Sequence, residues 1–299
     1  MNSSLKSEII KGSIPPVVTP FKNGKVDLDT YSKLIEFHII EGSHGVLVNG
    51  TSAEPSTLAV TERNQLVDVA IATTNNSIPI VAATGSQSLE ETRVLTKYAA
   101  KAGVDALLIV TPYYIRPPQR GIIEYYLEAT QDIDIPWMIY HIPGRAAVTI
   151  TIDTIRELKE TSPTFVGMKH AVNDLGFVSE CLAEFHDFKV FVGLEELSFP
   201  ELAIGAVGLM NAVGNLRPSI LAEMCQAVWD NDLQKGKKLH HELFELNQSV
   251  FYDTNPIPIK YMMKRMGILP NNEHRLPMSP ATPELEKRLE EVLIRANLI

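Results

Sequence analysis

The chain has 299 residues, of which 45% are hydrophobic and 21% are charged, and its formal net charge is −9. This hydrophobic content allows a large core and excludes an intrinsically disordered chain. The negative charge disfavours nucleic acids and anionic membranes as partners, and no local basic cluster offsets it.

The two cysteines, Cys181 and Cys225, form no CxxC pair. We therefore expect buried thiols in a reducing compartment rather than a disulfide framework. Residues 1–11 are polar and mixed in charge, without the apolar centre of a signal peptide. No apolar run approaches the roughly 20 residues of a membrane span. The sequence predicts a soluble, cytoplasmic protein with no membrane partner.

Eight short apolar runs recur along the chain, and an amphipathic stretch follows each of them. The runs are rich in β-branched residues and do not alternate with polar residues, which is typical of strands buried on both faces of a parallel sheet. In chain order they occupy residues 14–18, 45–48, 78–82, 106–110, 137–140, 165–168, 190–192 and 207–210. The regular series, rather than any single run, predicts eight βα units.

The stretches between these runs are predicted helices. The first covers residues 28–40. Ser88 precedes the third helix, with a glutamate three residues later, as in a capping box. Gly103 stands where a helix-ending glycine belongs, and Asp153 and Asp174 are candidate N-caps of two later helices.

The alternation stops near residue 216. Residues 218–251 predict two long helices, and residues 259–266 and 283–297 predict two more. We divide the chain into a barrel at 1–215 and C-terminal helices at 216–299, which complete the barrel and pack on it.

Eight βα units within this length predict a closed (β/α)8 TIM barrel, which typically takes about 250 residues. An open doubly wound sheet is the alternative. It would be favoured by a glycine-rich phosphate loop after the first strand, and residues 15–20, Pro-Pro-Val-Val-Thr-Pro, offer none.

Reactive groups in such barrels lie at the carboxyl ends of the strands and in the loops that follow. Four polar segments occupy these positions, at residues 50–54, 111–114, 140–145 and 169–170. Because these strand ends share one rim, the sequence predicts that their side chains converge on a catalytic mouth.

Lys169 closes the sixth apolar run, so its amine would point into a largely apolar mouth. Burial disfavours the charged ammonium, and the neutral amine attacks carbonyl groups. The alternative is a lysine at the barrel end that pairs with a carboxylate.

Tyr140 ends the fifth run, where its phenol could move protons as a carbinolamine forms and dehydrates. It could equally fill the top of the barrel.

Four further side chains are candidates at the same rim. Thr51 and Ser52 bring hydroxyls that could bridge tyrosines or bind a carboxylate, or that only cap a turn. Tyr114 could complete a hydroxyl relay with Tyr140 through Thr51, or could pack at an interface. Arg145 suits a carboxylate held at two points, or a surface salt bridge.

Metal and cofactor motifs are weak. The eight histidines lack a metal-ligand spacing, and the adjacent His240 and His241 point in different directions on a helix. The chain has no P-loop, no GxGxxG and no serine in a nucleophile elbow. We expect neither a metal nor a cofactor.

At these residues the chain closely resembles the dihydrodipicolinate synthase and N-acetylneuraminate lyase superfamily. The resemblance covers nearly the whole chain, from residues 16–21 to residues 255–260. Its shared motifs, in order, are Gly50-Thr51-Ser52-Ala53-Glu54, Thr111-Pro112-Tyr113-Tyr114, Tyr140 with Pro143-Gly144-Arg145, and Gly167-Met168-Lys169.

The resemblance implies roles for these residues. Lys169 matches the Schiff-base lysine and Tyr140 the general acid/base. Thr51 and Tyr114 match the hydroxyl relay, in which Tyr114 reaches in from a neighbouring subunit. Thr51 and Ser52 lie where the family binds the carboxylate of pyruvate.

Arg145 matches the arginine that holds the carboxylate of aspartate semialdehyde in the synthase branch. The resemblance thereby implies condensation of pyruvate with L-aspartate 4-semialdehyde to 4-hydroxy-tetrahydrodipicolinate, in lysine biosynthesis. It also implies a homotetramer built from tight dimers.

Some positions depart from the synthase pattern. Ala53 replaces a glycine, His141 replaces the usual asparagine, and His170 replaces the usual glutamate. The two imidazoles could carry protons or could only pack. At the positions that bind lysine in feedback inhibition, Gln87 stands where the family typically has asparagine and Val60 where it has histidine. The sequence therefore does not predict inhibition by lysine.

Two alternatives remain open on the sequence. Ala53, His141 and His170 motivate a related class I aldolase or dehydratase/deaminase that acts on a sugar-derived or hydroxyproline-derived 2-oxo acid. A non-catalytic 2-oxo acid binding protein is disfavoured, because the lysine and tyrosine that catalysis requires are present.

Overall fold

The computed structural model describes residues 8–299 of the protein, and this part of the chain forms a (β/α)8 barrel. Its parallel strands are β1 Gly12–Ser13, β2 Val46–Val48, β3 Ile80–Ala83, β4 Ala106–Val110, β5 Trp137–His141, β6 Phe165–His170, β7 Lys189–Val192 and β8 Gly208–Leu209. β1 pairs with β8, and a parallel bridge between Pro16 and Leu47 closes the barrel at β2. The predicted fold class is confirmed.

The helices surround the barrel and continue past it. Those between the strands are α1 Leu28–Ile40, α2 Val60–Thr74, α3 Leu89–Ala102, α4 Gln119–Thr130, α5 Pro143–Ala146, α6 Ile152–Thr161, α7 Leu175–Glu184 and α8 Ser198–Ala203. The later helices are α9 Pro218–Trp229, α10 Leu233–Glu242, α11 Phe244–Ser249, α12 Ile257–Arg265 and α13 Pro283–Arg295. A short antiparallel hairpin, Phe21–Lys22 with Lys25–Val26, follows β1.

Alternate residues of each strand serve two cores. In β4, Leu108 points into the barrel, whereas Leu107 and Ile109 point toward the surrounding helices. Both sets are fully buried. This double burial explains why the strands appear in the sequence as continuous apolar runs.

The first strand lies two residues earlier than predicted, and its ladder is short. We expected residues 14–18, but the regular pairing stops at Ser13. Pro15 and Pro16 have no backbone N–H to donate, so the ladder cannot continue through them. Beyond Ser13 the barrel is held by isolated backbone hydrogen bonds, among them the one from the Val17 N–H to the Leu47 oxygen at 3.0 Å.

The helix caps agree with the sequence in most cases. Ser88 Oγ accepts from the Glu91 N–H, Gly103 ends α3 at φ +107°, and Asp174 caps α7. Asp153 was the wrong residue for the cap of α6. Thr151 caps that helix, and Asp153 lies in its first turn.

The prediction of two helices over residues 218–251 was also wrong, because the chain turns twice there. α9 ends at Trp229, and α10 and α11 are separated at Leu243. Asp232 caps α10 by accepting from the Lys235 N–H, so the polar Asp230-Asn231-Asp232 turn is a helix boundary.

Cys181 and Cys225 are buried free thiols, as expected, and burial raises the pKa of both. Within residues 8–299, no helix is long and apolar enough to cross a membrane. Residues 1–7, on which the expectation of no signal peptide largely depends, lie outside the described residues.

Candidate active site

Lys169 and Tyr140 face each other at the carboxyl end of the barrel. They are Cα partners in the parallel pairing of β5 with β6, so both side chains point to the same face. The Lys169 Nζ lies 4.5 Å from the centroid of the Tyr140 ring. Both side chains are buried, at 4% and 6% exposure. A buried amine beside a phenol is suited to carbonyl attack followed by proton transfer.

Thr51 connects the loop after β2 to this pair. It opens the 3₁₀ helix Thr51–Ala53, and its Oγ1 donates a hydrogen bond to the Tyr140 Oη at 3.2 Å. Because the Tyr140 oxygen already accepts this bond, its own proton remains available to a group in the mouth.

Ser52 is oriented by a residue that the sequence alone did not single out. The Asn255 Nδ2 donates to the Ser52 Oγ at 3.0 Å, and both residues are buried. Asn255 comes from the segment before α12, more than 200 positions away along the chain, so only the fold brings the two together.

These side chains line one small cavity at the mouth. Its lining includes Thr51, Ser52, Tyr140, Arg145, Lys169, Glu195 and Asn255. Arg145 is exposed and sits on the short helix α5, directly after β5. The structure thus brings together all the predicted site residues except Tyr114.

Tyr114 lies outside the cavity of its own chain. Its side chain is 84% exposed, and its backbone adopts φ +76°, a left-handed conformation that is unfavourable for a bulky residue. The neighbouring Ile115 is 63% exposed. The role of Tyr114 in a neighbouring subunit's site stays a prediction.

Glu195 is a second cavity residue that the sequence alone did not reveal. Its Oε1 accepts from the Ala212 N–H at 2.6 Å and from the Val213 N–H at 3.4 Å, and its Oε2 has no hydrogen-bond partner among residues 8–299. Burial raises the pKa of Glu195 to about 7, although the charge of Lys169 opposes this. The position of Glu195 just after β7 could have identified it from the sequence, because reactive groups in such barrels lie in the loops that follow the strands.

His141 and His170 do not line the cavity. They follow Tyr140 and Lys169 by one residue, so they point outward toward α7. Their Nδ1 atoms lie 3.2 Å apart, and both rings contact Phe177. Of the two roles considered for them, this placement favours packing and hydrogen bonding over proton transfer at the reacting atoms.

A metal centre has no support in the described part of the chain. Among residues 8–299, no group of three histidine, cysteine, aspartate or glutamate side chains is arranged to hold a metal ion.

Known proteins share this fold and these motifs. A sequence model of the dihydrodipicolinate synthetase family matches residues 9–296. The 4-hydroxy-tetrahydrodipicolinate synthase of a Thermus thermophilus strain is 40% identical over 293 residues, which cover 97% of this chain and 98% of that protein.

Solved structures agree. Dihydrodipicolinate synthase from Aquifex aeolicus matches with a TM-score of 0.94 and 35% identity, covering 97% of this chain and 99% of that one. The chloride-inhibited enzyme from Acinetobacter baumannii, solved with pyruvate, matches with a TM-score of 0.94 and 34% identity, covering 97% and 100%. The resemblance seen in the sequence is confirmed: the chain belongs to the dihydrodipicolinate synthetase family and is an enzyme of the lyase type.

Proposed function

We propose that the protein condenses pyruvate with L-aspartate 4-semialdehyde to give 4-hydroxy-tetrahydrodipicolinate. The observation that carries this proposal is the buried Lys169 amine facing the Tyr140 phenol, in a cavity that Arg145 also lines. Relatives named for this activity align along nearly the whole chain, and a structural neighbour was solved with pyruvate.

The chemistry begins at Lys169. Its neutral amine attacks C2 of pyruvate, and the resulting carbinolamine loses water to give an imine. Tyr140, whose oxygen accepts from Thr51, supplies the proton that the departing oxygen needs. The Tyr140 oxygen, which has given up its proton, takes one from the pyruvate methyl group and leaves an enamine. The enamine carbon bonds to the aldehyde carbon of the second substrate, and Tyr140 returns its proton to the aldehyde oxygen.

Release of the product needs no further protein nucleophile. The amino group of the second substrate attacks the imine carbon, closes the ring and returns Lys169 as a free amine. We assign the pyruvate carboxylate to the Ser52 hydroxyl and to the Thr51 backbone N–H, because the Thr51 hydroxyl already donates to the Tyr140 oxygen. Arg145, at the exposed edge, suits the carboxylate of the second substrate, because its planar fork binds carboxylates at two points.

Reductive trapping tests the first step. The protein is incubated with pyruvate and sodium borohydride, and the intact mass and the modified peptide are determined. We expect one reduced pyruvate adduct per chain on Lys169 and none in Lys169→Ala. A folded wild-type protein that forms no adduct would exclude Lys169 as the nucleophile.

The second substrate needs its own assay. Turnover with pyruvate and L-aspartate 4-semialdehyde is expected, and Arg145→Ala should raise the KM for the semialdehyde more than that for pyruvate. No turnover with the semialdehyde, together with efficient cleavage of a 2-oxo sugar acid, would contradict the proposal.

One observation favours a second candidate, a class I aldolase or dehydratase/deaminase acting on another 2-oxo acid. A larger cavity of about 420 Å³ shares Leu194, Glu195 and Phe251 with the catalytic cavity. Glu196 and Arg288 are among its polar lining residues. Such a space would accommodate a substrate tail longer than that of aspartate semialdehyde.

We also propose that the protein assembles as a homotetramer of tight dimers, in which Tyr114 completes the hydroxyl relay of a neighbouring subunit. The support is the exposed, backbone-strained Tyr114 and its exposed neighbour Ile115. Contact with a second copy would bury both side chains and offset the strain.

Subunit complementation tests this arrangement. Tyr114→Phe and Lys169→Ala are each expected to be nearly inactive alone. When the two variants are co-refolded, hybrid dimers would contain one site with an intact Lys169 and a neighbour's intact Tyr114, so activity should return. Mixtures as inactive as their components would place Tyr114 outside the neighbour's site.

A further inference from the structure

The outward faces of β5 and β6 carry a pair of histidines directly behind the catalytic pair. His141 and His170 are Cα partners in the same register that pairs Tyr140 with Lys169. Their ring centroids lie 5.2 Å apart, and a hydrogen bond of 3.2 Å joins their Nδ1 atoms. The last backbone bond between the two strands, from the Ala171 N–H to the His141 oxygen at 2.9 Å, lies beside them.

The hydrogen bonds define one tautomer for each ring. The Ile150 N–H donates to the His141 Nε2 at 3.4 Å, so this nitrogen carries no proton. His141 therefore carries its proton on Nδ1 and donates it to the His170 Nδ1. His170 in turn carries its proton on Nε2, a buried atom with no partner among residues 8–299.

The surroundings keep both rings uncharged. The two side chains are 4% and 1% exposed, and Phe177 stacks on His170 at an interplanar angle of 21°. Burial lowers the pKa of His141 to about 3 and that of His170 to about 4, against the charge of Asp174 at the cap of α7. A second proton on either ring would point one N–H group at another with no acceptor between them, at Nε2 of His141 or at Nδ1 of His170.

We propose that His141 and His170 form a neutral positioning pair, which locks the ends of β5 and β6 so that the Lys169 amine is held against the Tyr140 phenol. Through the Ile150 N–H, the pair also holds the segment that follows α5, the helix that carries Arg145. The inference rests on the proposed roles of Lys169 and Tyr140, and it assigns no proton transfer to either imidazole.

The experiment compares His141→Phe, His170→Phe and the double variant, which keep ring volume but lose the hydrogen bond. Each single variant should slow borohydride trapping of pyruvate on Lys169 by about tenfold or more, because small misplacements of reacting groups are costly. The double variant should be no slower than the slower single variant, because the loss of either ring already removes the hydrogen bond between the two. Multiplying effects would mean that the rings act separately.

Phe177→Leu is the matched control. It removes the ring that stacks on His170 but leaves both imidazoles, so trapping should stay within about twofold of wild type. All rates are taken below the measured unfolding transition of each variant. Folded histidine variants that trap pyruvate at the wild-type rate would overturn the proposal.

A measurement on the wild-type protein needs no variant to fold. Imidazole ¹⁵N shifts should report the Nδ1–H tautomer for His141 and the Nε2–H tautomer for His170, both uncharged from pH 6 to 8. A charged ring or the reverse tautomers would overturn the inference. If wild type forms no pyruvate adduct at all, the proposed function fails instead, and the two failures are thereby distinguished.

Discussion

At the scale of single residues, the mouth of the barrel depends on a few directed hydrogen bonds. The sequence was sufficient to select Lys169, Tyr140 and Thr51, because each stands at the end of a predicted strand or in the loop that follows it. It could not select Asn255, since nothing local shows that its amide reaches Ser52 across the fold. Only the tertiary structure gives such residues their partners.

Tyr140→Phe tests the phenol. The variant keeps the ring beside Lys169 but lacks the proton donor, so kcat should fall by about 10²–10⁴-fold, the usual contribution of a general acid or base. Steady-state kinetics would measure this, with folding checked by circular dichroism. Thr51→Ser keeps the hydroxyl that donates to the Tyr140 oxygen and should retain most activity. A Tyr140→Phe enzyme close to wild type would assign proton transfer to another group.

At the scale of elements, a buried ion cluster holds the loop after β2 against helix α12. The Glu54 Oε1 accepts from the Lys260 Nζ at 2.9 Å and from the His274 Nδ1 at 3.0 Å. Burial alone would raise the pKa of Glu54, but His274 and Lys260 lower it below its usual value. Glu54 ends the 3₁₀ turn that carries Thr51, so the C-terminal helices fix a wall of the site.

Lys260→Met should therefore destabilise the fold strongly. The variant leaves the buried Glu54 carboxylate with His274 as its remaining partner, and removing one member of a buried ion pair typically costs about 3–5 kcal/mol. Urea unfolding measures the effect. Lys264→Met lies on the same helix but is exposed, and it should change the free energy of unfolding by less than about 0.5 kcal/mol. Equal stabilities of the two variants would mean that the cluster contributes little.

Element boundaries mark the limit of local sequence reasoning. Asp153 and Thr151 are both acceptable N-caps, and the residue predicted from the sequence was the wrong one. The choice is made by Gln119, whose Oε1 accepts from the Thr151 N–H and from the Thr154 hydroxyl at 2.6 Å. A contact between α4 and α6, more than 30 positions apart, therefore sets where the helix begins.

At the scale of the whole molecule, buried ionisable groups couple stability to pH. Glu201 is fully buried, and neither carboxyl oxygen has a hydrogen-bond partner within residues 8–299. Burial raises the pKa of Glu201 to about 8, from an ordinary value of 4.5. Between these two pH values the folded protein keeps a proton that the unfolded chain releases. The contribution of Glu201 to the free energy of unfolding is therefore fully present below pH 4.5 and is lost as the pH rises toward 8.

Glu201→Gln removes this titration. Relative to wild type, the variant should gain stability as the pH rises from 5 to 7.5, by at most about 1.4 kcal/mol per pH unit. Urea unfolding at several pH values gives the difference. Glu157→Gln, a change at an exposed position, should parallel wild type at every pH. A Glu201→Gln curve that also runs parallel to wild type would mean that Glu201 is already ionised when folded.

Pro15 and Pro16, which follow β1, make this part of the barrel depend on residues much later in the sequence. By the alternation of the strand, Pro15 withholds a donor from the side of β2 and Pro16 withholds one from the side of β8. Side chains from much later in the sequence donate to carbonyl oxygens of this segment. The Asn215 Nδ2 donates to the Pro16 oxygen at 3.0 Å, and the Lys260 Nζ donates to the Thr19 oxygen at 3.0 Å. During synthesis this segment emerges well before Asn215 and Lys260, so its hydrogen bonds are completed only after both residues have been made.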